Sequence, residues 1–207
     1  MLLRSVVSNW VSWNIPLVVS TNSEGAEALK GLPITILTRS VSKETHGSDL
    51  ADAIEVAGSK AGWVLRQDDD IIPVSTDKLE QLGTLKLFPN SISGVRLVDP
   101  SGRRWYDWAK FDRAGASLLD YGTYEDNVYV TGGCQLYSRE AISVVSKTYR
   151  ANSRHRSASD AKVCLAAAAA GVRMISPSKQ SPAFIHLDPN RMTNQPHKYS
   201  QNNIPNA

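Results

Sequence analysis

Ala61-Gly62-Trp63-Val64-Leu65-Arg66-Gln67-Asp68-Asp69-Asp70-Ile71-Ile72-Pro73 is the stretch on which the reading of this chain turns. Gly62 to Leu65 is a short apolar run with the composition of a buried strand, and three consecutive aspartates stand at its end. Side by side in an apolar frame, three carboxylates repel one another and lose hydration, so a compensating cation is expected. Their oxygens are hard ligands of the kind Mg²⁺ or Mn²⁺ prefers. In an extended segment, alternation sends Asp68 and Asp70 to one side and Asp69 to the other, which makes Asp68 and Asp70 the natural clamp. An aspartate run in a loop is ordinarily a solvated turn; the flanking Trp63–Gln67 and Ile71-Ile72-Pro73 favour the metal reading.

On the N-terminal side, Leu3, Val6, Val7, Trp10 and Val11 recur at helical spacing, predicting an amphipathic helix from Leu2 to Trp13. A buried strand is expected over Ile15 to Val19, closed by Ser20-Thr21-Asn22-Ser23, with Ser23 capping a helix that runs to Lys30. Pro33 to Thr38 reads as a second strand, and Ser48 opens a helix to about Ala57. Strands alternating with helices over short connections predict an α/β fold with a largely parallel sheet, in which ligands gather at the carboxyl ends of strands. Beyond the aspartates, strands are expected at Gly94 to Val98, Asn127 to Thr131 and Ala183 to His186, and helices at Ser138 to Lys147 and Ser159 to Gly171. The Ala166 to Ala170 run is expected to form a smooth helix face lying close to the sheet. Residues 110–127 are polar and glycine-containing, the composition of a mobile loop that orders on binding.

At 207 residues and 42% hydrophobic content the chain can bury a core, and it reads as one domain over residues 1–188. Residues 189–207, rich in Pro, Asn and Gln, are expected to form a polar, flexible tail. The net charge of +3 is scattered rather than gathered into a stripe, which argues against a nucleic-acid partner. A pI of about 8.9 suits a small anionic ligand equally well. Cys134 and Cys164 have neither metal-ligand spacing nor the number for a disulfide framework, so a reducing, cytoplasmic setting is expected. The first 19 residues are interrupted by Asn9, Asn14 and Pro16 before they could span a bilayer, and no signal peptide or transmembrane segment is expected.

Three blocks together resemble the GT-A-fold, nucleotide-sugar-dependent glycosyltransferases, family 2 in particular. The first is Gly47-Ser48-Asp49-Leu50-Ala51-Asp52-Ala53-Ile54 followed by the 61–73 stretch, similar to that family's helix, strand and Asp-X-Asp metal motif. The second, Tyr129-Val130-Thr131-Gly132-Gly133-Cys134 through Ile142, resembles the Gly-Gly strand and helix that border the sugar pocket. The third is Ser159-Asp160 at the head of an apolar helix, similar to the acidic pair that carries the family's catalytic base, with Ser159 where an acidic residue is usual. Family members open on a strand and a loop that holds the nucleotide base, whereas this sequence opens on the following helix, so the first strand is expected to be missing or replaced. The resemblance covers residues 2–188.

The resemblance implies a mixed, mainly parallel Rossmann-like sheet flanked by helices, a nucleoside-diphosphate sugar as donor and a carbohydrate or glycan hydroxyl as acceptor. Asp68 and Asp70, completed by His186 with Asp188 as its substitute, would hold Mn²⁺ or Mg²⁺. Asp160 would take the acceptor proton, with inversion at the anomeric carbon. Thr21, Asn22, Arg39, Arg66, Asp68, Asp69, Gly132 and Gly133 would meet the donor, with Lys43 a further candidate for its phosphates. Trp105, Tyr106 and Trp108, after the turn Asp99-Pro100-Ser101-Gly102, would offer flat faces to the acceptor. Two other readings stand beside this one. A sugar-phosphate nucleotidyltransferase would share the sheet and carboxylates but needs a glycine-rich, Arg/Lys-bearing loop near its start, which is not visible. The other is a non-catalytic nucleotide- or glycan-binding protein with a degenerate GT-A fold.

Overall fold

In the structure, a computed structural model, the described residues are 2–39, 45–73, 82, 88–113, 115–131, 133–151, 159–180 and 183–187. Helix α1 (Leu2–Ser12) buries Val6, Val7 and Trp10, the face that the helical spacing predicts. It ends at Asn14, which takes a left-handed φ of 55° and donates its N–H to the Val11 carbonyl. Trp10 stacks on Phe184 (6.1 Å between ring centres), so α1 closes a core made of Ile71, Val95, Leu97, Leu136 and Phe184.

Strand β1 (Val18–Thr21) pairs in parallel with β2 (Thr35–Thr38) across helix α2 (Ser23–Ala28). The expected strand at Ile15 to Val19 starts later because Pro16 has no N–H; pairing begins where the Leu17 carbonyl accepts from Thr35. The cap of α2 is Asn22, not Ser23: its side chain accepts the Gly25 N–H at 2.8 Å. Behind α1, then, a strand leads the β-α-β order in the place where the first strand was expected to be missing or replaced.

Helix α3 (His46–Lys60) outruns the expected Ser48 to Ala57 at both ends and buries Gly47, Ala51 and Ile54. It is followed by β3 (Trp63–Gln67) and, after the aspartates, β4 (Ile71–Pro73). The stretch expected as one strand from Gly94 to Val98 is two, β5 (Ser91–Gly94) and β6 (Arg96–Val98), in different sheets, with the buried Val95 between them. Next come β7 (Trp108–Asp112), β8 (Gly115–Leu118), β9 (Val128–Val130) and β10 (Cys134–Ser138). Helices α4 (Arg139–Ala151) and α5 (Ser159–Ala169) precede β11 (Arg173–Ile175) and β12 (Ala183–His186).

The fold is mixed α/β, with parallel and antiparallel strands flanked by helices. One sheet has the order β11-β5-β10-β3, in which β5 and β11 are parallel and β10 runs antiparallel to both neighbours. A second, β4-β12-β6, joins the segment after the aspartates to the last strand; a third, β8-β7-β9, is antiparallel throughout, and the parallel pair β1–β2 is the fourth. The described residues of 110–127, a stretch expected as a mobile loop, instead form the antiparallel pair β7–β8 and a braced turn. Trp108 and Ala109 are buried, the Lys110 ammonium pairs with Glu125 at 2.8 Å, and Gly122 N–H donates to Ser176 Oγ at 2.9 Å. Polar composition concealed the strand pairing and the buried Leu119 within the stretch. The alanine run is also corrected: only Ala167 is buried, and the inner face of α5 is Ala161, Val163, Cys164 and Ala167. No described helix is long and apolar enough to cross a membrane. The expected tail at 189–207 lies outside the described residues.

Helices α3 and α4 approach closely at Gly58, where a Cβ would stand 2.8 Å from Ile142 Cδ1. Gly58→Leu is expected to lower stability by about 1–3 kcal/mol through overpacking, despite a gain in helix propensity. Thermal melts of Gly58→Leu and of Gly58→Leu with Ile142→Ala check this: the second change should restore much of the loss.

Asp99, 1% exposed, closes the turn that leads to Trp105. Burial works against its charge, but the Ser101 hydroxyl, the N–H groups of Arg103 and Ser101 and the Arg103 guanidinium hold its carboxyl below the usual range. A lowered folded-state value means that its stabilisation is complete above the ordinary carboxylate value of about 3.9 and is lost as pH falls through the lowered one. The difference in melting temperature between wild type and Asp99→Asn should therefore be flat near neutrality and narrow only below about pH 4.

Candidate functional site

Six of the residues singled out in the sequence come together. Thr21 and Asn22 stand at the end of β1, Arg39 just past β2, Arg66 in β3, and Asp68 and Asp69 just past it. All line one cavity of about 1510 Å³. The cavity opens where the carboxyl ends of strands in an α/β fold ordinarily meet their ligand. Its lining also includes apolar residues, Val6, Val7 and Trp10 of α1 and Leu50 and Ile54 of α3. Gly25, also in the lining, leaves no room for a side chain without a shift, since a Cβ there would meet Thr21 Oγ1 at 2.0 Å.

Arg39 is braced rather than free. Its N–H donates to the Thr21 carbonyl at 2.8 Å, and its guanidinium donates to Asp52 at 2.9 Å with Asp49 3.8 Å away. Asp52 also receives Arg150 at 2.6 Å, and Arg150 forks onto Glu55. The network ties the end of β2 to α3 and α4. Lys43, the other phosphate candidate, lies outside the described residues.

The three aspartates do not continue the strand. Asp68 N–H donates to the Gly133 carbonyl at 3.0 Å, and Ile71 N–H reaches back to the Asp68 carbonyl at 3.4 Å, so residues 68–71 form a turn. The alternation expected of an extended run therefore fails here, and Asp68 and Asp70 face different partners. Asp68 Oδ1 accepts from Arg66 Nη2 at 2.8 Å. Asp70 Oδ2 lies 3.7 Å from His186 Nε2, because β12 runs antiparallel to β4 and sets His186 opposite Ile71. Leu187 N–H donates to the Asp70 carbonyl at 2.7 Å and ties the two segments together. A mostly buried carboxylate oxygen beside an imidazole nitrogen is a donor pair that suits Mn²⁺. It is a pair and not a cage: no group of three or more metal-binding side chains occurs among the described residues, and Asp188 lies outside them.

Arg66 is the electrostatic centre of the other side. Its side chain is 10% exposed, and among the described residues Nε and Nη1 are buried with no hydrogen-bond partner. Burial opposes its charge, but the carboxylates of Asp68 and Asp160 beside it hold the guanidinium above its ordinary value. Asp160 sits in the first turn of α5, where the helix dipole favours an anion, and Tyr149 Oη donates toward its Oδ1 at 3.5 Å. Beneath it, Tyr137 Oη donates to Gln135 Oε1 at 2.5 Å and Gln135 Nε2 to the Val130 carbonyl at 2.7 Å. Burial raises Tyr137 and Tyr149, and it pushes the Cys164 thiol up to about 12, so none of the three is an anion near neutrality.

The aromatic residues divide. Trp105 stacks on His186 with ring centres 4.9 Å apart and steadies the imidazole. Tyr106 contacts Tyr129 through their hydroxyls. Trp108, expected on the acceptor side, is wholly buried with its indole N–H donating to the Thr123 carbonyl at 2.9 Å, and it offers no face to a ligand. Gly133, expected to lie under the sugar, is hemmed in by core side chains: a Cβ there would press on Ile71 and Leu97, each at 3.1 Å. Gly132 lies outside the described residues.

Sequence reasoning does not find Tyr149, Tyr137 and Gln135, nor Asp52 and Arg150. The one available signal is Arg66 itself, an arginine inside an apolar strand that has to bring buried partners with it.

No protein-family model and no curated protein matches this chain in sequence. Among solved structures, mannose-1-phosphate geranyltransferase from Thermus thermophilus is similar, with a TM-score of 0.46 and 12% identity over 89% of this chain. The chain spans 63% of that protein's length.

Proposed function

We propose that the chain is a nucleotide-sugar-dependent transferase of the GT-A, family 2-like kind, moving a sugar from a nucleoside-diphosphate donor to a carbohydrate or glycan hydroxyl. The observation that carries this reading is the convergence of Thr21, Asn22, Arg39, Arg66, Asp68 and Asp69, drawn from three strand ends, on one cavity. The nucleotide end of the donor lies against Thr21, Asn22 and Arg39, with its diphosphate toward the aspartate turn. Asp70 and His186 are the residues that would hold Mn²⁺ or Mg²⁺, an ion that would supply Lewis-acid stabilisation of the diphosphate's negative charge. Asp160 receives the proton of the attacking hydroxyl on the opposite face of the sugar, which gives inversion. Tyr149 steadies that carboxylate through its hydroxyl.

One observation favours a second reading, a sugar-phosphate nucleotidyltransferase. Asp160 lies near the Arg66 guanidinium in the first turn of α5, a placement that suits a carboxylate ligand for a cation as well as it suits a base. The two chemistries leave different products: nucleoside diphosphate from glycosyl transfer, pyrophosphate from nucleotidyl transfer.

Thermal-shift measurements with uridine, guanosine and thymidine diphosphates and their sugars, with and without Mn²⁺, test the reading. One nucleotide is expected to raise the melting temperature of the wild type in a Mn²⁺-dependent manner, and Asp70→Ala is expected to lose that response. No stabilisation by any of them removes the donor-binding reading. Asp160→Asn is expected to keep the nucleotide response while turnover falls about 10²–10⁴-fold. A variant that turns over normally removes Asp160 from the chemistry.

A further inference from the structure

Every residue of β3, Trp63 to Gln67, and every residue of β1, Val18 to Thr21, lines the cavity, whereas β2 contributes only Thr35. A strand that shows a face to a space lines it with alternate residues; one that lines it with consecutive residues presents its edge. The hydrogen bonds agree. Asp68 N–H donates to the Gly133 carbonyl, so in the antiparallel pairing with β10 the N–H and C=O groups of Val64 and Arg66 point to β10, and those of Leu65 and Gln67 point away. In the parallel pair, the Leu17 carbonyl accepts from Thr35 and the Thr21 carbonyl from Arg39, so Val19 points to β2, and Val18 and Ser20 point away. Neither outward set has a strand partner among the described residues: β3 is the outer member of its sheet, and β1 pairs with β2 alone. Both strands pack against α3. The apolar side chains along the two edges, Leu17, Val18, Val19, Trp63 and Leu65, are only half-buried.

We propose that in the unliganded chain β1 closes onto β3: the outward N–H and C=O groups of Val18 and Ser20 pair with those of Leu65 and Gln67, the two sheets become one of order β2-β1-β3-β10-β5-β11, and the cavity is the open state of this gate. Backbone groups inside a protein are paired almost without exception, and each of these edges carries the donors and acceptors that the other lacks. Closure to the spacing of paired strands, about 4.8 Å, satisfies both edges at once and buries the half-exposed apolar side chains between them. Thr21 ends β1 and Asp68 follows β3, so closing narrows the space that both of them line, and opening admits a ligand to it. That consequence for the ligand rests on the proposed donor site; the closure itself rests on the backbone.

The experiment is nuclear magnetic resonance on the full chain, isotope-labelled and without ligand, read by backbone Overhauser contacts and by amide hydrogen exchange. Contacts between residues 18–20 and 65–67 are expected beside those that β1 makes with β2 and β3 with β10. The amides of Val18, Ser20, Leu65 and Gln67 are expected to exchange at least about tenfold more slowly than the same amides in an unfolded chain. Ser20→Pro replaces one outward N–H with a ring and leaves the bonds of Val19 and Thr21 to β2 in place, since proline is accepted on a strand edge whose N–H faces no partner. It is expected to abolish the contacts between β1 and β3 and to speed exchange at Leu65 and Gln67 about tenfold or more, with Val64 and Arg66 unchanged. Ser20→Ala, which keeps the N–H, should match wild type. Absence of the contacts in wild type, with those inside β1–β2 and β3–β10 present, overturns the inference whether or not Ser20→Pro folds. So does a folded Ser20→Pro in which Leu65 and Gln67 stay slow, because another group then covers them. No nucleotide enters the experiment, so its failure leaves the donor reading to the thermal-shift measurement, and loss of the donor reading leaves the closure standing.

Discussion

A guanidinium nine-tenths out of water in the middle of an apolar strand is the constraint around which the rest of this molecule is arranged. A buried charge is tolerated only when paired and hydrogen-bonded. The pairing of Arg66 with Asp68 therefore commits the first aspartate of the run to its own strand. It also calls for further anionic and polar neighbours on that side of the sheet, which α5 supplies as Asp160, α4 as Tyr149 and β10 as Tyr137. Residues from two helices and two strands thus stand near one cation, two of whose nitrogens, Nε and Nη1, have no hydrogen-bond partner among the described residues.

That commitment divides the aspartates. Because residues 68–71 turn instead of extending, Asp70 leaves the Arg66 side and reaches the second sheet, where β12 brings His186 alongside and Trp105 stacks over the imidazole. Asp68 and Asp69 line the cavity with Thr21, Asn22 and Arg39, together with apolar residues of α1 and α3. In the reading proposed above, a phosphorylated ligand would meet this polar part of the lining, and Asp70 with His186 would be the separate pair offered to a cation.

Several parts are legible in the sequence because they depend on local periodicity. The inward face of α1, the existence of α3, α4 and α5 and the strand ahead of the aspartates are all set by the spacing of apolar side chains, which survives whatever the tertiary context does. Legibility fails where composition stands in for pattern. The 110–127 stretch is polar on average yet follows directly on the inward-turned Trp108 and Ala109, and the alanine run lies mostly on the outer face of its helix. The chemistry of Trp108 and Gly133 suits a ligand, and their local sequence says nothing against it. The packing around them, Thr123 against the indole and Ile71 and Leu97 against the glycine, is invisible without the fold.

By itself, the sequence determined the alternation of strands and helices, the placement of three carboxylates at a strand end and the apolar run that leads into them. All of these follow from interactions between residues a few positions apart. Only the tertiary structure decided which aspartate meets Arg66 and which meets His186, that Asp160 shares the field of that arginine, and that Thr21 and Arg39 open onto the same cavity as Asp68. These depend on strand register and on the direction of one turn. A single hydrogen bond from Ile71 back to Asp68 breaks the two-residue alternation, and the register of β12 against β4 sets His186, distant in sequence, beside Asp70.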